Sequence, residues 1–284
     1  MPGIIALVDG SIYTRSVCDH AAWAAGRLGT AITLLHVLSR PPISDAAPDF
    51  STYLDADTRD ALLADLASHD EQAGRLAQRR ARAILDDCST RLTAEGAANS
   101  TPRLRQGDLL EAVQELEPQA DLLVIGKRGE AADFARLHLG SNLERMVRSS
   151  VKPILVAARA FKPIHRVLVA FDGGASVMKA VGHLATSPMF AGLEVHLLAV
   201  GTPSADTERK LGEALATLRR AGLLATMQTR PGQPDEVIAR AVRDEGFDLL
   251  VMGAYGHSRI RTLIIGSTTT AMIRSCLIPV MLFR

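Results

Sequence analysis

Residues Asp248 to Arg284 read DLLVMGAYGHSRIRTLIIGSTTTAMIRSCLIPVMLFR. An apolar run, Leu249 to Met252, opens directly into Gly253; Gly256 follows after two residues, and Gly266 with Ser267 after nine more. A helical pattern starts near Thr268 and gives way to a second apolar run, Ile278-Pro279-Val280-Met281-Leu282. The stretch therefore predicts strand, glycine loop, helix, strand. Glycine lets backbone approach a ligand closely and reach positive φ without a Cβ clash. Gly253 and Gly256 would shape the turn out of the strand, while Gly266 and Ser267 would stand at a helix N-terminus. Free N–H groups and the helix dipole favour an anion there, and Ser267, Thr268 and Thr269 add hydroxyl donors. Glycines also close ordinary strand-to-helix loops. Spacing, position and hydroxyls together favour phosphate chemistry.

The G-x2-G-x9-G-S pattern, set between an apolar strand and the helix before Ile278 to Leu282, resembles the ATP-binding universal stress protein family. The resemblance implies an α/β fold of five-stranded doubly wound domains and ATP as ligand, with or without Mg2+. It also implies nucleotide-responsive regulation in stress response, and domains paired through their last strands.

The rest of the chain repeats this plan. GIIALVD at 3–9 matches HRVLVAFD at 165–172, and AITLLHVL at 31–38 matches EVHLLAV at 194–200. DLLVIG at 121–126 matches DLLVMG at 248–253, and KPILV at 152–156 matches IPVML at 278–282. Such a duplication settles the architecture as two tandem domains, 1–159 and 164–284, joined at Ala160-Phe161-Lys162-Pro163. Within each copy, strand-length apolar runs alternate with helix-length amphipathic segments, the signature of βαβ units and a parallel sheet. In the second copy the helices are expected at Ser176–Ala191, Ala205–Ala221, Asp235–Glu245 and Thr268–Ser275, with strands apolar on both faces. The edge candidates Val151–Val156 and Ile278–Phe283 are expected to bury each other in an internal pseudo-dimer. A homo-oligomer of the whole chain stays open.

One stretch has no counterpart, a helical insertion at about 41–102. It contains a long helix expected at Thr58–Ala94, with Leu62, Leu66, Ala73, Leu76, Ala77, Ile84, Cys88 and Leu92 near one stripe and Arg75, Arg79, Arg80 and Arg82 clustered. The arginines read either as a contact for an acidic partner or, more simply, as a solvated helix face.

The family resemblance assigns site residues position by position. In the second copy Asp172 falls on the acid beside the adenine ring and Val200 on the apolar residue lining it. Gly253, Gly256, Gly266, Ser267 and Thr268 fall on the phosphate and ribose positions. On its own residues, Asp172 before Gly173 and Gly174 also reads as a strand-end turn former. His257 is either a phosphate donor or an exposed loop histidine, and Arg259 and Arg261 are candidate phosphate neutralisers. In the first copy Asp9 matches Asp172, Val37 matches Val200, and Gly126, Gly129, Gly140, Ser141 and Asn142 supply a similar loop. That loop holds ten residues between Gly129 and Gly140 rather than nine, and Lys127 and Arg128 crowd its first turn. The added residue threatens the register of the helix start, so the second copy is expected to bind ATP more tightly than the first.

Composition bounds the function. The chain has 284 residues and a formal net charge of +1, which gives no global argument for nucleic acid or an anionic membrane. The opening MPGIIALVDGS lacks a basic n-region, no run reaches transmembrane length, and three cysteines, Cys18, Cys88 and Cys276, are far apart in sequence. A cytoplasmic protein with isolated thiols is the expectation. No G-x4-G-K-[ST] occurs, and neither a metal-spaced cluster nor a nucleophile triad stands out. Asp121 and Asp248 start their strands at the ends away from a binding crevice, which makes them poor magnesium ligands. Three readings compete: an ATP-binding regulator, a nucleotide-free scaffold, and a slow ATPase. The intact loop of the second copy favours the first.

Overall fold

The structure is a computed structural model that describes residues 3–38, 56–127, 141–254 and 266–284. The first copy runs β1 (Gly3–Leu7), α1 (Thr14–Leu28), β2 (Ile32–Leu38), α2 (Ala56–Ala94), β3 (Ser100–Gln106), α3 (Leu109–Leu116), β4 (Ala120–Gly126), α4 (Ser141–Ser149) and β5 (Ile154–Ala157). The second runs β6 (Arg166–Phe171), α5 (Ala175–Thr186), β7 (Glu194–Val200), α6 (Ala205–Arg220), β8 (Leu224–Arg230), α7 (Pro234–Asp244), β9 (Leu249–Gly253), α8 (Ser267–Ser275) and β10 (Val280–Phe283).

The strands form one ten-stranded sheet in the order β3-β2-β1-β4-β5-β10-β9-β6-β7-β8. All pairings within a copy are parallel, and the copies join through the antiparallel pair β5–β10. In that pair Ile154, Leu155 and Val156 face Leu282, Met281 and Val280, every one at most 3% exposed. Two apolar edges thus remove each other from solvent, as unpaired edges of this composition require. Antiparallel joining also reverses strand direction between copies, so the two carboxyl-end crevices open at opposite ends of the strands.

Helices cover both faces. Val17, Leu85, Val177 and Leu211, from α1, α2, α5 and α6, belong to one continuous core; Val113, Met146, Ile238 and Ile273, from α3, α4, α7 and α8, belong to the other. Each core spans both copies, which is the doubly wound arrangement repeated in tandem. Central strands are buried on both faces, whereas the margins β3 and β8 are largely exposed. The expectation of strands apolar on both faces fails there, because a marginal strand has a neighbour on one side only and its helix cover thins. Of the expected second-copy helices, the first is shorter: α5 stops at Thr186, and a 3-10 turn, Pro188–Phe190, completes the segment. Ser187 accepts the Met189 N–H and Pro188 stands in that turn's first positions, which ends the helix.

Helix α2 is the crossover between β2 and β3, the place α6 takes between β7 and β8. Only its last turns touch the body: Ala81, Leu85, Cys88 and Leu92 are at most 4% exposed. Arg91 makes a two-pronged ion pair with Asp19 of α1, at 2.6 and 2.9 Å. The excess over the second copy therefore lies before residue 81, not across the whole of 41–102. The same interface changes the picture of isolated thiols. Cys18 and Cys88 are both buried at this interface, and the neighbouring Cys88 thiol together with burial pushes the Cys18 thiol up.

Candidate functional site

In an open parallel sheet, ligands enter beyond the carboxyl ends of the strands where the winding reverses. In the second copy that point lies between β6 and β9, neighbours in the sheet whose crossovers leave in opposite directions. A cavity of about 620 Å³ opens there, within the range of small-ligand sites.

Its floor is the carboxyl ends of three strands: Asp172 after β6, Val200 closing β7, and Gly253 closing β9. Asp172 Oδ1 accepts the Gly174 N–H at 2.8 Å, a turn that Gly173 permits with φ of +74°. A Cβ on Gly173 would also stand 3.2 Å from Thr207 Cγ2, so both conformation and space call for glycine. One wall comes from the start of α6, where Ser204 caps the helix by accepting the Thr207 N–H, and another from Pro234 and Ile238 of α7. Apolar Val200, Ile238 and Met252 contribute to the lining, and Asp172 is the only carboxylate among the described lining residues.

The opposite wall is the first turn of α8, with Gly266, Ser267, Thr268 and Thr269 all lining the cavity. Gly266 is the N-cap and supplies no side chain, so the amide donors of the first turn have no side-chain cap among the described residues. The turn is fixed to the strand in front of it. Thr269 Oγ1 donates to the Gly253 carbonyl at 3.0 Å, and the Gly266 N–H donates to the Ala254 carbonyl at 3.2 Å. A buried threonine and one backbone bond thus hold both stems of the loop in register. Gly266 itself sits at φ −55° and ψ 142°, ordinary extended backbone, so the positive φ expected of a loop glycine is not what this position needs. Gly256, His257, Arg259 and Arg261 lie outside the described residues.

The first copy brings together Asp9, Val37, Gly126, Lys127 and Asn142 in the equivalent crevice, but its cavity is about 80 Å³. Aligning Asp9-Gly10 on Asp172-Gly173 sets Ser11 and Tyr13 where the second copy has Gly174 and Ser176, and both larger side chains line the cavity. Asp9 Oδ1 accepts the Ser11 N–H at 3.0 Å. Lys127 does not stay within its own copy: its Nζ donates to the Cys276 carbonyl, at the C-terminal end of α8. Ser141 opens α4; Arg128, Gly129 and Gly140 lie outside the described residues. Sequence reasoning passed over Tyr13, although the alignment of the two Asp-Gly pairs exposes it. It also passed over Ser204, Thr207, Pro234 and Ile238, which carry no motif and reach the crevice only through the crossover geometry.

The two strand-start acids stand away from both crevices. Asp248 Oδ2 accepts the backbone N–H groups of His165 and Arg166 at 2.9 Å each, tying the amino ends of β9 and β6 together. Among the described residues, no group of three or more His, Cys, Asp and Glu side chains could hold a metal ion, and no helix is long and apolar enough to cross a membrane.

Comparison with known proteins agrees with this architecture. The sequence profile of the universal stress protein family matches residues 3–158 and again residues 163–284. A universal stress protein of Synechocystis sp. is 36% identical over 287 residues, covering 100% of both chains. One of Mycolicibacterium smegmatis is 22% identical over 303 residues, covering 99% of this chain and 97% of its own. Among solved structures, a universal stress protein of Archaeoglobus fulgidus superposes with a TM-score of 0.73 at 18% identity, covering 100% of this chain and 96% of that one. Two profile matches in tandem, a full-length relative and the repeated doubly wound fold make this chain a member of the universal stress protein family with two family domains in one polypeptide.

Proposed function

We propose that the chain binds ATP in the crevice of its second copy and works as a nucleotide-responsive regulator in stress response. The observation that carries this reading is the meeting of Asp172, Val200, Gly253, Gly266, Ser267 and Thr268 around one cavity of about 620 Å³. These residues are scattered over 97 positions of sequence, and chance gives no reason for all six to line the same space. In this reading the adenine lies against Val200, Ile238 and Met252 with Asp172 beside it. The phosphates face the uncapped first turn of α8, where amide donors and the helix dipole favour negative charge. With Asp172 the only carboxylate lining the described cavity, a magnesium ion would enter with the nucleotide, held by its phosphate oxygens. Family membership supports the regulatory part of the reading, which does not require hydrolysis.

Calorimetric titration of the purified chain with ATP, together with mass spectrometry of small molecules released on denaturation, tests the reading. Micromolar or tighter ATP binding, or a co-purified adenine nucleotide, is the expected result. A clean preparation without ATP affinity would leave the scaffold reading, and rapid release of inorganic phosphate would make the protein an ATPase.

A further inference from the structure

Helix α2 spans 39 residues, of which the described part before Ala81 leaves the body: between residues 57 and 80 only Leu62 and Gln78 are even half-buried among the residues whose burial is described. At 1.5 Å per residue this is a rod of about 35 Å. Helices in proteins draw most of their stability from packing an amphipathic face, and this segment leaves nearly every described side chain exposed. It nevertheless exposes three large apolar side chains, Leu63, Leu66 and Leu76, at 51%, 44% and 62%. Leu62, Leu66, Ala73 and Leu76 recur at steps of four, seven and three, the spacing of a helix-pairing seam.

Charge identifies what would cover that seam. Residues 60–71 contain four acids, Asp60, Asp65, Asp70 and Glu71, and no Lys or Arg; residues 72–82 contain four arginines, Arg75, Arg79, Arg80 and Arg82, and no acid. The rod is acidic over its outer half and basic over its inner half. A foreign acidic partner suits the arginines but is repelled by the outer half, and an anionic membrane surface fails for the same reason. A second copy laid antiparallel satisfies both halves at once, because each acidic half then meets the partner's basic half. Antiparallel laying also puts the two bodies at opposite ends of the paired rods, whereas parallel laying sets like charge against like and brings the bodies to one end.

We propose that the exposed part of α2 pairs antiparallel with the same segment of a second copy, so that the chain is a two-fold homodimer held by the Leu62–Leu76 seam and by acidic-to-basic contacts on either side. Sedimentation velocity on the full chain tests this. The wild type should sediment as a dimer that weakens as salt screens the contacts. Asp60→Lys with Asp65→Lys leaves the outer half without net charge beside a basic inner half; Arg79→Glu with Arg82→Glu leaves the inner half without net charge beside an acidic outer half. Each double variant alone should associate roughly tenfold or more weakly, since the acidic-to-basic attraction is lost at both ends of the paired rods. An equimolar mixture of the two should regain a one-to-one dimer, which a variant that had merely lost its helix could not do. A monomeric wild type at micromolar concentration overturns the proposal, as does a dimer indifferent to both double variants or a mixture that stays monomeric. A monomeric wild type that captures polyglutamate would assign the arginines to an acidic partner instead.

Discussion

The backbone at Gly266, φ −55° and ψ 142°, is one that any residue adopts, so a side chain placed there acts on the crevice and not on the conformation. Gly266→Val should therefore leave thermal stability nearly unchanged while lowering ATP affinity at least about tenfold, the consequence of losing one charge-assisted hydrogen bond. Gly173 is the opposite case: with φ of +74° and Thr207 at 3.2 Å, Gly173→Ala should destabilise the fold by about 1–2 kcal/mol. Calorimetric titration and thermal melts on the two variants separate the roles; equal loss of stability in both would remove the distinction. His20 makes a further prediction at this scale. It is fully buried, its Nδ1 lies 2.7 Å from the Ser16 carbonyl, and burial pushes its pKa below the ordinary histidine value. Burial lowers His183 in the same way. A histidine with a depressed folded pKa contributes fully above the unfolded value near 6.5; as pH falls below that, the unfolded chain takes up protons first and stability is lost. The carboxylates that ion pairs hold down, Asp108 and Glu245, lose their contribution only nearer pH 4, so the window from 6.5 to 5 belongs to the histidines. Urea unfolding at pH 7 and pH 5.5 should show the decline, and His20→Asn should flatten it; an unchanged slope in that variant would exclude His20 as a source.

Among the elements, α2 carries two different segments under one continuous helix. Leu85→Ala should cost about 2–5 kcal/mol, because Leu85 is 4% exposed in the core shared with α1 and β2, whereas Leu76→Ala, at 62% exposure, should stay within about 0.5 kcal/mol when measured on dissociated chains. Denaturant midpoints on the two variants check the contrast, and comparable losses would mean that the outer segment is packed into the body after all. The sequence marks α2 as a long helix with an apolar stripe, yet the stripe runs through both segments and periodicity cannot say where cover begins. Burial begins at Ala81, where the helix joins the core built by α1 and β2, a matter of tertiary packing and not of the helix's own periodicity. The repeated apolar strands and the helix that starts at Ser267, by contrast, were legible from sequence, since a strand that opens into glycine and then a helix admits few folds. Asp172 and Val200 could be placed at strand ends, and the family resemblance matched them to the crevice. Tyr13 and the α6 and α7 walls required the crossovers to be built, as did the reach of Lys127 across the chain to Cys276.

On the scale of the molecule, the antiparallel β5–β10 pair makes the chain one sheet, so each copy expressed alone should bare an apolar edge and self-associate; monodisperse, monomeric single copies in sedimentation would contradict that. The same pair sets the two crevices at opposite ends of the strands, and they are unequal. Phosphate affinity arises from several amides converging on one point, and the second copy has a cavity of about 620 Å³ beside such a helix start. The first copy has about 80 Å³, with Tyr13 in the lining, an added loop residue in the sequence, and a lysine whose ammonium caps the far end of α8. That lysine cannot offset a misplaced amide nest in its own crevice without releasing the Cys276 carbonyl of the other. ATP titration of the whole chain should therefore saturate near one equivalent, and Gly266→Val should weaken that equivalent at least about tenfold while Gly140→Val leaves it. Tyr13→Ser together with removal of one residue from the 130–139 loop should move the stoichiometry toward two. Two equal sites in the wild type, each removed by its own glycine variant, would mean that the first crevice opens at little cost and that its small volume does not limit binding.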